Sequence, residues 1–285
     1  MLDFITWTAN PNLFDGFVTI RWYGLMFVIG FWIGYRIMYS FFKHEGAPEA
    51  WLDTLLIYVV VATIVGARLG HVFFYQWDYY SANPMEILKI WHGGLASHGG
   101  TIGIIIAIII FSRLVSKRSP LWTFDRLVIP IALVGALIRM GNLFNHEIYG
   151  HATNLPWGFR FIENIDQWMA GAQPIFSAPS HPTQIYEALA YLALFGLLMW
   201  MYWKKNAEAR PGLIFGVFLT WLFSARFVIE YVKNDQVEFE KDMILNMGQQ
   251  LSIPFIIAGI ILIIYAMSRP KLEMKFPNKF CDSKK

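Results

Sequence analysis

Seven stretches of the chain are long and apolar enough to cross a bilayer: about 22–42, 54–75, 98–115, 126–145, 186–203, 211–232 and 250–267. A helix rises about 1.5 Å per residue, so roughly 20 apolar residues cover a hydrocarbon core of about 30 Å. Lipid offers the backbone no water, and a spanning segment must satisfy its own N–H and C=O groups, as a helix does. The expected fold class is therefore an all-α membrane protein, a bundle of seven transmembrane helices in one polytopic membrane domain. Composition agrees: 56% of the 285 residues are hydrophobic and only 15% charged, against roughly 25% charged in soluble domains.

The loop charges choose an orientation, because Lys and Arg accumulate on the cytoplasmic side. Connections on the N-terminal side of the bundle carry five basic residues, Arg21, Lys89, Arg160, Lys233 and Lys241. Those on the other side carry fourteen, including Arg113, Lys117, Arg118, Arg126 and the tail from Arg269 to Lys285. The N-terminus is expected outside and the tail, 268–285, in the cytoplasm. No basic residue precedes Arg21, so a cleaved leader is not expected. A net charge of +3 gives no reason to expect nucleic acid as a partner. The single cysteine, Cys281, permits neither an internal disulfide nor a thiolate cluster. His92 and His98 lack any recognised metal-ligand spacing, and neither metal nor cofactor is expected.

Two connections stand out. Residues 146–185 form a long loop rich in Trp, Phe, Pro and Gly, expected to cap the bundle externally; loops of that length are usually functional. Residues 75–96 are aromatic and amphipathic, as expected of a segment in the interface. Small residues four apart, at Gly30/Gly34, Gly66/Gly70, Gly99/Gly103 and Gly212/Gly216, allow close approach of helix backbones. No repeat relates the two halves, which weighs against an inverted-repeat transporter.

Ionisable groups inside spans mark candidate sites, because inserting one costs at least ~2.5–3.5 kcal/mol on translocon scales. In "RMGNLFNHEIYG" (139–150), helical continuation would put Arg139, Asn142 and His146 on one face, flanked by Asn145 and Glu147. A partner carboxylate could reduce Arg139 to a structural lock. In "ARFVIEYVKND" (225–235), Arg226, Glu230 and Lys233 share a face; Arg226 either pairs with Glu230 or joins Arg139 in clamping a phosphate. Arg68, His71 and Tyr75 repeat the pattern on the second span. His98 in "HGGLASHGG" lies among small residues, where an imidazole could take a proton near neutral pH. "HPTQIYE" (181–187) reads as an interface anchor around Tyr186.

Taken in order, "RWYGLMF", "GARLGHVFFY", "GGLASHGG", "RMGNLFNHEIYG", "HPTQIYE", "ARFVIEYVKND" and "MGQQLSIP" resemble the prolipoprotein diacylglyceryl transferases along essentially the whole chain. The resemblance implies transfer of the diacylglyceryl group of phosphatidylglycerol to the lipobox cysteine thiol of a preprolipoprotein. A thioether forms and glycerol phosphate leaves, the first step of lipoprotein maturation at the bacterial plasma (inner) membrane. It implies a headgroup site of Arg139, Asn142, Asn145, Glu147, Gly150, Tyr23 and Glu230, with Arg226 as the second arginine and His98 as the base. Two positions depart from the family pattern, Arg21 before Trp22 and Leu222 one turn before Arg226. The rival readings are a transporter or flippase of an anionic lipid, a structural membrane component, and a metal-dependent hydrolase.

Overall fold

The computed structural model describes residues 4–16, 19–234 and 244–272. Cys281, Lys241, the side chain of His92 and the tail beyond residue 272 lie outside the description. The described chain forms α1 (Trp22–Glu45), α2 (Glu49–Tyr75), α3 (Trp77–Ala82), α4 (Ser97–Phe111), α5 (Pro120–Phe144), α6 (Ile165–Met169), α7 (Thr183–Lys205), α8 (Leu213–Ile229) and α9 (Met247–Met267). All except the short α3 and α6 belong to segments long and apolar enough to cross a membrane, seven in all, as the apolar runs lead one to expect. The ends differ by a few residues. The second segment starts at Glu49 and the fourth at Pro120, because helices run on past the apolar stretch into polar residues such as Asp53, Asp125 and Arg126.

The chain divides into two units, the first comprising residues 1–36 and 127–272, the second residues 37–126. In the second unit α2 packs on α4 through the expected glycines. A Cβ on Gly70 would lie 2.6 Å from the Gly99 Cα, and one on Gly66 would lie 3.1 Å from the Gly103 Cα. Packing of backbone on backbone is the contact that lipid favours, since tails are as apolar as leucine and provide no hydrophobic drive. At the other end of this unit Glu45 accepts hydrogen bonds from Arg126 Nε and Trp122 Nε1, each 2.9 Å, with all three side chains buried. Arg126, grouped with the loop charges in the sequence, is thus neutralised inside the protein.

In the first unit Gly30 and Gly34 of α1 face Val134 and Pro130 of α5, and Gly216 of α8 faces the Gly259 carbonyl of α9. Asn246 and Gln249 begin α9 with a reciprocal capping box, satisfying two N–H groups that the first turn leaves unpaired. The connection after α5 is organised by short extended pairings. β1 (Ile5–Thr6) lies parallel to β4 (Phe159–Arg160), and β2 (Asn12–Phe14) antiparallel to β3 (Ile20–Arg21). Bridges Phe159–Ser180 and Ile162–Phe176 fold the 150–180 chain back on itself. Leu143, Phe159 and Phe161 form its apolar core with Trp7 and Tyr149, and Trp7 Nε1 donates to the Leu143 carbonyl at the end of α5.

A valine at Gly66 is expected to destabilise the protein by about 1–3 kcal/mol, as overpacking does when backbone must yield. Thermal unfolding in detergent should show this, whereas alanine at Gly196, which faces open space, should leave the midpoint near wild type.

Candidate active site

Helix α5 ends at Phe144, short of the continuation that would align His146 with Arg139 and Asn142. His146 and Ile148 both take left-handed backbone angles, φ 57° and 62°, and the chain turns sharply between them. His146 leaves the polar stripe as a result. Its Nδ1 accepts the Ile162 N–H at 3.1 Å, so Nε2 carries the hydrogen and donates to the Ala9 carbonyl at 2.9 Å. The ring is buried and ties the post-α5 connection together.

What remains of the stripe is held by its own amides. Asn142 and Asn145 each donate from Nδ2 to Glu147 Oε1, at 2.8 and 3.0 Å. Arg139 Nη1 lies 3.4 Å from Asn142 Oδ1, a long contact. Two left-handed residues on either side of Glu147 are costly, and the turn is braced from α7. Thr183 Oγ1 donates to the Ile148 carbonyl at 2.8 Å, and Gln184 Nε2 donates to the Glu147 carbonyl at 2.7 Å. Gly150 follows, bridged to Lys233, where a Cβ would collide with the Val232 carbonyl. Tyr23 on α1 packs against Gly141, at which a Cβ would meet its ring edge 2.8 Å away.

The central element was not singled out in the sequence. Glu187, on the second turn of α7, is wholly buried, and its Oε2 lies 2.8 Å from Arg139 Nε. Its Oε1 lies 3.6 Å from Lys233 Nζ. Tyr191, one turn further along the same face, hydrogen-bonds Arg139 and lies within the electrostatic reach of Arg226. "HPTQIYE" is therefore more than an interface anchor. Tyr186 does stand among aromatic groups, accepting from Trp157 Nε1 at 3.0 Å, but the carboxylate one residue later reaches the core. The signal was present: Glu187 is an ionisable residue inside an apolar span, the same feature that flags Arg139.

Past α8 the expected helical face also changes. The helix ends at Ile229, residues 230–232 form a tighter turn, and Lys233 enters extended backbone. Glu230 Oε2 lies 3.7 Å from Lys233 Nζ, and Gly248 leaves room for its carboxylate. Lys233, placed with the loop charges in the sequence, is only 2% exposed. Arg226 does not pair with Glu230; among the described residues it makes no ion pair. Arg139 and Lys233 thus lie against Glu187 and Glu230, Glu147 is a third carboxylate held by amides, and Arg226 on half-buried α8 makes no ion pair among the described residues. Such an arrangement suits an anion with more than one oxygen.

His98 belongs to the second unit. It is the second residue of α4, exposed, with its Nε2 3.0 Å from the Tyr75 hydroxyl. Arg68 does not repeat the clamp pattern: its guanidinium is buried against main-chain carbonyls of residues 86–94. Outside the spans, burial pushes His146 and His181 below the ordinary imidazole value, His181 further because of neighbouring His151.

Seven helices long and apolar enough to span, with buried arginines and carboxylates among them, define a multi-pass membrane protein with a charged polar centre. The family model for prolipoprotein diacylglyceryl transferase matches residues 11–265. A phosphatidylglycerol–prolipoprotein diacylglyceryl transferase of Porphyromonas gingivalis is 53% identical over 94% of this chain and 96% of its own length. Proteins of the same name from Chloroherpeton thalassium and Tolumonas auensis are 43% and 45% identical, over 95% and 90% of this chain and 97% and 96% of theirs. The chain belongs to the prolipoprotein diacylglyceryl transferase family, and is a transferase. The expectation of a lipid transporter or flippase finds no support among these relatives.

Two outcomes are expected. Glu187→Ala strands Arg139 and Lys233, and losing one member of a buried pair costs about 3–5 kcal/mol, readable as a lowered unfolding midpoint; Glu187→Gln should lose less. His146 accepts a hydrogen bond only when neutral. Its folded pKa is depressed below 6.5, so its contribution is full above that pH and declines as the pH falls toward the folded value. Protection of the Ile162 amide from hydrogen exchange, relative to its intrinsic rate at each pH, should fall in that acid window and hold steady near pH 8.

Proposed function

We propose that the protein transfers the diacylglyceryl group of phosphatidylglycerol to the cysteine thiol of a preprolipoprotein lipobox. The supporting observation is Arg226, which makes no ion pair among the described residues and lies, with Arg139, within electrostatic reach of Tyr191. A phosphodiester brings one negative charge, and a second develops as its ester bond breaks. The printed names of the relatives supply the two substrates.

In this reading the thiol loses its proton and the sulfur forms a bond to the glyceryl carbon. The carbon–oxygen bond breaks with its electron pair, giving the thioether and glycerol phosphate. Arg139 and Arg226 stabilise the charge growing on phosphate oxygens. They do so without reorganising, since Arg139 is already oriented by Glu187, Tyr191 and Asn142. Asn142, Asn145, Glu147, Gly150, Tyr23 and Glu230 line the headgroup site, and His98 takes the thiol proton, an assignment supported by its motif. A free thiol has a pKa near ~8.5, so a base is needed at neutral pH.

The unequal loop charges support an outer N-terminus and a cytoplasmic tail in the bacterial inner membrane, with residues 146–185 as an external cap. The test uses purified protein, phosphatidylglycerol and a lipobox peptide with one cysteine. Mass spectrometry should find the peptide heavier by a diacylglyceryl group, with glycerol phosphate released. Arg226→Ala should lower kcat by about 10²–10³-fold, as removal of a transition-state donor does. Peptide left unmodified while lipid binds would overturn the proposal in favour of simple lipid binding.

A further inference from the structure

His98 carries its own orienting partner. Tyr75 is the last residue of α2, and its hydroxyl is 3.0 Å from His98 Nε2. The imidazole of His71, one turn earlier, stacks on the Tyr75 ring at 5.7 Å and 18°, and Phe74 presents its edge to His98 at 6.0 Å. With Nε2 engaged, Nδ1 is the ring nitrogen left for chemistry. Which nitrogen of a histidine is free is set by the hydrogen bond the other one makes.

Arg68 secures this arrangement from beneath. A guanidinium has five N–H donors, and here main-chain carbonyls take them all. Nε donates to Ile87, Nη1 to Gly93 and Gly94, and Nη2 to Glu86 and Lys89. Its carbon sits 4.9 Å from the centre of the Tyr80 ring. No donor remains for phosphate, which is why Arg68 differs from Arg139 and Arg226. The carbonyls it gathers belong to the segment that feeds α4, and that segment is tied to α2 again by the Ala96 N–H on the Ala67 carbonyl, 2.9 Å. Gly94 has φ 74°, and a Cβ there would lie 2.6 Å from the His71 ring. The segment can therefore lie on α2 only with a glycine at that point.

We propose that Tyr75 is a positioning residue for His98: in the neutral ring Nε2 bears the hydrogen and donates to the Tyr75 oxygen, leaving the Nδ1 lone pair to take the thiol proton, while Arg68 fixes the segment that presents the ring. The inference rests on the reading of His98 as the proton acceptor. In the step, the S–H bond breaks, its proton passes to Nδ1, and sulfur keeps the electron pair for the glyceryl carbon. The proton is later returned to the departing phosphate. Tyr75 gains and loses none.

The experiment uses the full chain in detergent with phosphatidylglycerol and the single-cysteine lipobox peptide, together with ring-¹⁵N spectra of the labelled histidines. The wild-type spectrum should show His98 as the Nε2–H tautomer; an Nδ1–H ring overturns the inference whatever the variants do. Tyr75→Phe should lower kcat by about 10–10²-fold, the scale of a slightly misplaced reacting group, with KM for phosphatidylglycerol within about twofold. It should also leave His98 as a mixture of tautomers. Arg68→Lys, which keeps the charge but not the fork, should lower kcat in the same way. Unchanged kcat and tautomer in Tyr75→Phe would also overturn the inference. His98→Gln separates the two ideas. If it turns over like wild type, the proton-acceptor reading fails; if it is inactive while Tyr75→Phe is normal, only the positioning role fails.

Discussion

A wholly buried carboxylate between two cations is the constraint on which the polar centre depends. Glu187 touches Arg139 at 2.8 Å and faces Lys233 at 3.6 Å, and so joins α5, α7 and the chain leaving α8. In water such a pair would be worth little; in a protein surrounded by lipid, separating its members would leave charges with neither partner nor solvent. The cost of inserting those groups is thereby turned into a rule for which helices must meet. Glu230 extends the rule to α9 through the space that Gly248 leaves.

The turn after α5 is the second device. A continuing helix would carry His146 and Glu147 onward along the bundle axis. Ending α5 at Phe144 and passing through two left-handed residues instead swings Glu147 back to its own amides, Asn142 and Asn145. Strain of this kind persists only where the surroundings over-determine it. Here Thr183 and Gln184 hold the carbonyls of the turn, His146 pins it to Ala9 and Ile162, and Gly150 allows the Lys233 strand to lie against it. The residues proposed for the headgroup thus sit on a braced corner rather than on a free loop.

The second unit solves a different problem with similar means. Its glycines let α2 and α4 meet backbone to backbone, and Arg68 then collects carbonyls that the irregular 84–94 chain could not satisfy alone. An arginine with every donor used is structural, whereas Arg226, with no ion pair among the described residues, is available to an anion. The two residues look alike in sequence, each a lone cation within an apolar run.

The sequence alone determined the seven spans, the small-residue faces and the presence of charged groups where lipid forbids idle ones. These are local properties: a run of about 20 apolar residues is a helix whatever surrounds it, because the bilayer leaves its backbone no other partner. The family motifs were equally local, and named Arg139, Asn142, Asn145, Glu147 and Arg226. Only the tertiary structure decided who pairs with whom. Glu187 rather than Glu147 neutralises Arg139, Lys233 rather than Arg226 takes Glu230, and His146 turns away to Ala9 and Ile162. Helical periodicity could not foresee this, since it assumes the helix continues, and α5 and α8 both end inside their motifs. Partner choice between buried charges depends on distances across helices far apart in sequence, and no spacing along the chain encodes them.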